Sequence, residues 1–143
     1  MKYIIDKSKW VFGGLRFNLI LGHSYLKNDK GNMCCLGQIC EADGVPEKEL
    51  QNFTRPHAVR HKLPETHWLL CSHSADRDSR VAVDMISTND NSMISLEDRE
   101  AYLISAAKAV GHELEFIGDY PTEVIEKENS IRIKYQQRTF YNC

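Results

Sequence analysis

The stretch from Ser95 to Ile117 constrains the fold more than any other part of this chain. Ser95 and Asp98 make a capping box, and Glu97, Asp98 and Glu100 suit the positive end of a helix dipole. Gly111 supplies the left-handed stop, so the spacing predicts a helix from about 95 to 110. Its core stripe is Leu96, Leu103, Ala106, Ala107 and Val110, and the small residues in it imply close packing on a sheet. Glu113–Ile117 then reads as a strand, and helix, glycine and strand in that order lay a helix across a sheet.

The remaining segments are shorter. Lys2–Asp6 reads as a short first strand, and Phe17, Leu19 and Leu21 alternate with Asn18, Ile20 and Gly22 before the turn-rich run 28–32. Cys35, Leu36, Ile39 and Cys40 fall on one helical face, Asp43-Gly44 stops that helix, and Val45-Pro46-Glu47 opens another. Residues 54–67, with Pro56 and Pro64, lack any period and read as a surface loop. His67–Cys71 and Arg80–Ile86 read as central strands, the second because Val81, Val83 and Met85 alternate with Ala82, Asp84 and Ile86. Glu123–Lys127 and Ile131–Tyr135 suggest a terminal hairpin. The expected fold is therefore α+β: one domain over 1–143, a mostly antiparallel sheet packed with one long helix (about 95–110) and a short helix pair (about 33–51), and a C-terminal hairpin extension over 119–143. A chain of 143 residues suffices for one sizeable core.

No apolar run approaches the roughly 20 residues that span a bilayer, and Asp6 interrupts what would be the apolar stretch of a signal peptide. A cytoplasmic protein is expected. The five cysteines are odd in number, and Cys34 and Cys35, being adjacent, can join only in a strained ring, so reduced and buried thiols are expected. Charge is placed unevenly. Residues 1–62 carry ten basic and six acidic side chains, whereas 95–128 carry three basic and nine acidic ones. An acidic face made by Glu97, Asp98 and Glu100 suits a basic protein partner.

Other candidate sites follow from residue type. A ligand pocket near Gly13-Gly14 would use Trp10 for stacking and Lys9 and Arg16 for an anion, completed by His23 or Tyr25; the alternative is a core tryptophan among solvated cations. Cys34, Cys35, Cys40 and Cys71 with His57, His61, His67 and His73 are metal-ligand types, but their spacing matches no zinc pattern, and neither metal nor cofactor is expected. A nucleophilic Cys34 or Cys35 would need a base such as His23 and a positive field. Leu36–Leu50 has the offsets of a helix-turn-helix, yet its second helix carries Glu47 and Glu49, which repel phosphates. Asn89-Asp90-Asn91 lacks the glycine and distant glutamate of a calcium loop and reads as an Asx turn before the long helix.

Lys9-Trp10 with Gly13-Gly14, the run from Tyr25 through Met33-Cys34-Cys35-Leu36-Gly37, and Asn89-Asp90 followed by a helix and Glu113–Ile117 together resemble a group of small uncharacterised proteins of bacteriophage and mobile-element genomes. The likeness covers about residues 7–118, and Met33–Gly37 is its specific part. The resemblance implies no activity, cofactor or catalytic residue. It implies an accessory protein that binds a host factor, blocking a defence protein or sequestering a small nucleotide-like ligand. The alternatives are a helix-turn-helix DNA regulator and a cysteine- or metal-dependent enzyme.

Overall fold

Tyr3 and Ile5 turn inward and Lys2 and Ile4 outward along the first strand, β1 (Lys2–Asp6), as its alternation requires. The computed structural model describes residues 1–12, 19–20, 23–74, 76–91 and 93–121, with the backbone alone at 19, 20 and 23. A 3-10 turn over Lys7–Lys9 is capped by the Asp6 carboxylate, which accepts from the Ser8 N–H. Two residues each of β2 (Leu19–Ile20) and β3 (His23–Ser24) pair antiparallel. The helix pair is α1 (Cys35–Ala42) and α2 (Glu47–Leu50). A kinked 3-10 segment over Pro56–Lys62 leads to α3 (Arg80–Asp90), α4 (Leu96–Ala109) and β4 (Glu113–Ile117).

β1 and β4 pair in parallel, Tyr3 opposite Leu114 and Ile5 opposite Phe116. α1 packs on β1, α4 on β4 and α3 on α4. The Gln38 side chain accepts from the Asp6 N–H and donates to its carbonyl, so α1 pairs with the end of β1 much as a strand would.

The expected mostly antiparallel sheet is not what forms. Among the described residues the main sheet has two parallel strands, and the only antiparallel pairing between strands is that of β2 with β3. Arg80–Ile86, expected as a strand, is the start of α3: Ser79 caps it by accepting from the Ala82 N–H, and Ala82, Met85, Ile86 and Asn89 are buried at helical spacing. His67–Cys71 is a succession of turns in which Leu70 makes one antiparallel bridge to Asp78. Residues 123–135, expected as a hairpin, lie outside the described residues.

The Met33–Gly37 motif has a structural explanation at every position. Met33 exchanges backbone hydrogen bonds with Lys9 and Val11, Cys34 caps α1 by accepting from the Gly37 N–H through Sγ, and Cys35 and Leu36 are fully buried. A Cβ at Gly37 would overlap the Leu26 carbonyl, so only glycine lets α1 lie against that backbone.

Candidate partner-binding face

α4 begins at the Ser95 cap, whose hydroxyl accepts from the Asp98 N–H at 3.2 Å, and carries Glu97 and Asp98 in its first turn. It buries only Leu96, Arg99, Leu103 and Ala107. That stripe is narrow, and much of the helix circumference faces outward. The outward surface is not uniformly polar: Tyr102 is 50% exposed, Val110 46% and Ile104 36%, alongside the exposed Glu97 and Asp98. Glu100 differs from these two because Lys7 pairs with it at 3.1 Å in a half-buried position. Ile104 continues into a shallow groove of about 580 Å³ that it lines with Met1, Lys108, His112 and Leu114. The groove runs beside β4, whose second edge has no strand partner among the described residues.

The proposed ligand residues do not converge on an open site. Trp10 is fully buried; its indole N–H donates to Asn89 Oδ1 at 2.6 Å, and its ring packs against Phe12, Phe116 and Tyr120. Asn89 is the hub of this region. Its Oδ1 also accepts from the Cys35 N–H, its Nδ2 donates to the Val11 carbonyl and to Asp90, and its own carbonyl accepts from the buried Arg99 at 3.1 Å. Lys9 meets Met33 through its carbonyl, Tyr25 is half-buried, and His23 is described by its backbone in β3. Gly13, Gly14 and Arg16 lie outside the described residues.

Burial pushes the Cys34 thiol up to about 12, and it raises Cys35 and Cys40 well above the ordinary thiol range. A thiol at a helix N-terminus is favoured as thiolate by the dipole, but here loss of hydration wins. Among the described residues no three His, Cys, Asp or Glu side chains stand close enough to hold a metal ion. The histidines are distributed over separate tasks. The Leu69 N–H donates to His67 Nδ1, which leaves Nε2 to donate to Asp43 at 2.6 Å. Asp43 also accepts from the Tyr3 hydroxyl, and burial followed by that bond raises Tyr3 to about 12. His57 donates its backbone N–H to the buried Asp78, with its ring at 3.3 Å and Arg55 at 3.5 Å from the same carboxylate. His61 and His73 face an open cleft. α2, the would-be reading helix, has four residues and two carboxylates. Asn91 ends α3 and makes the expected Asx turn, accepting from the Met93 N–H.

Sequence reasoning missed Asn89 and Asp78 as organising residues. Each is a buried polar side chain whose partners lie far along the chain, and hydrophobic periodicity carries no signal for either. No helix among the described residues is long and apolar enough to cross a membrane. No family model, curated protein or solved structure matches the chain.

Proposed function

We propose that this chain is a non-enzymatic accessory protein of the bacteriophage type, acting in the host cytoplasm by binding and inhibiting a host factor, with bacterial defence proteins as the class of target. The observation that carries this is the outward surface of α4, where the exposed Tyr102 stands one turn beyond the exposed Asp98 and the exposed Ile104 lies two turns beyond Glu97, toward the other flank of the buried stripe. An exposed aromatic such as Tyr102 can anchor an interface, and the neighbouring carboxylates select a partner with basic side chains. The adjoining groove beside β4 extends the contact area beyond a single helix.

A photo-crosslinking residue placed at position 102, in a bacterial host, tests this. A discrete adduct with one host protein is expected, and its yield should fall about tenfold when Glu97 and Asp98 are both changed to lysine, the scale of reversing a close charge pair. The same probe at the exposed Lys30 should give none. An adduct insensitive to charge reversal, or no adduct at position 102, would remove α4 as the binding face. The complex should also weaken with added salt, because these carboxylates are exposed.

A further inference from the structure

Apart from α4, one cleft of about 740 Å³ opens between the kinked 3-10 segment and the turn joining Leu70 to Asp78. A volume of this order is that of a small-molecule site. The first wall presents Arg60 and His61, and the second presents Arg77 and His73 with the hydroxyls of Ser72 and Ser74. Glu65 is the one carboxylate in the lining. Neither Arg60 nor Arg77 has a carboxylate within ion-pair distance among the described residues. Two guanidiniums against the single carboxylate of Glu65 leave the cleft with an excess of positive charge, which an anion bound there would balance.

The walls are held in place rather than merely adjacent. Asp78, fully buried at its side chain and next to Arg77, accepts from the His57 N–H at 2.9 Å and pairs with Arg55 at 3.5 Å, so one carboxylate ties the start of the first wall to the end of the second. The Cys71 N–H donates to the Arg77 carbonyl and the Ser79 N–H to the Leu69 carbonyl, closing the turn beneath the arginine. A preorganised cleft loses less on binding than two free side chains. Leu63 and Leu70 give the lining an apolar portion, which suits an organic body attached to the anionic group.

We propose that this cleft binds a small phosphate-bearing molecule, with Arg60 and Arg77 gripping the phosphate and Ser72 and Ser74 donating to its remaining oxygens. Guanidinium forks match phosphate geometry, and hydroxyl donors complete its coordination. This site is separate from α4, and its ligand could serve whether or not a protein partner docks there.

Calorimetric titration of the intact protein at low salt, with inorganic phosphate in one arm and adenosine monophosphate in the other, tests the assignment. Both should bind, the nucleotide more tightly if the apolar wall is used and equally if phosphate alone is recognised. Arg60→Gln with Arg77→Gln should weaken both by about tenfold or more, and Lys30→Gln should leave both unchanged. Both arginines are exposed, so the fold should survive, and the single variants, each about fivefold weaker, serve should the double variant unfold. Silence in both arms, or binding that survives removal of both guanidiniums, overturns the proposal.

Discussion

Cys34 sits at the N-cap of α1, a place where thiols are commonly activated, yet its thiol is driven up to about 12 by burial. Cys35 and Cys40 are equally enclosed, whereas Cys71 is half-exposed at the rim of the basic cleft. Iodoacetamide at about pH 8 should therefore label Cys71 in the native protein while Cys34, Cys35 and Cys40 react only after denaturation. Peptide mapping by mass spectrometry reads this directly, and comparable rates at Cys35 and Cys71 would contradict it. His112 offers a second expectation. It stacks on Trp68 with ring centroids 4.5 Å apart, and its Nδ1 is buried without a hydrogen-bond partner. Burial, aided by the N-terminal amino group and His67 and opposed in part by Asp43, holds it below its ordinary 6.5. The unfolded chain thus takes up a proton that the native state resists. Stability is complete above the unfolded value and is lost as pH falls through it toward the depressed native one. The melting temperature should drop between about pH 7.5 and about pH 5.5, and His112→Phe, which keeps a ring over Trp68, should drop less.

Among the elements, α1 is fixed by its contact with the chain beside it. Gly37→Ala places a methyl group on the Leu26 carbonyl, and Leu26 is itself held by its N–H to Phe53 at 2.6 Å, so the backbone has little room to yield. A loss of about 3 kcal/mol in urea unfolding is expected. Gly44→Ala, with no neighbour within 4 Å but φ of +101°, should cost about 1 kcal/mol through backbone strain alone. Equal costs at the two positions would mean that α1 can shift away from Leu26. The elements also differ in how far the residues announced them. α4 was legible because its cap, acidic first turn and stop glycine are local signals, and α1 because its face is apolar at helical spacing. α3 was not. Val81, Val83 and Met85 happen to alternate, while the helical stripe that folds is completed by Asn89, whose polarity hides it from any hydrophobic count.

For the molecule as a whole, the central pairing was the least visible feature. β1 and β4 were each legible as strands, but nothing in either names its partner or its direction, and the helices between them decide both. The acidic face on α4 was legible in part. Glu97 and Asp98 are exposed, Glu100 is taken up by Lys7, and the exposed Tyr102 and Ile104 stand out only once the buried stripe is known. The basic cleft was scattered through the sequence, because Arg60 and Arg77 come to the same opening only through the buried Asp78. The parallel pairing of β1 with β4 has a further meaning for how the chain is made. β1 finds its partner only after residue 117 has left the ribosome, about 5–20 s after its own synthesis at ordinary elongation rates. Until then Tyr3 and Ile5 lack the parallel strand against which they are buried in the folded protein, so this non-local pairing is completed only once β4 has been made.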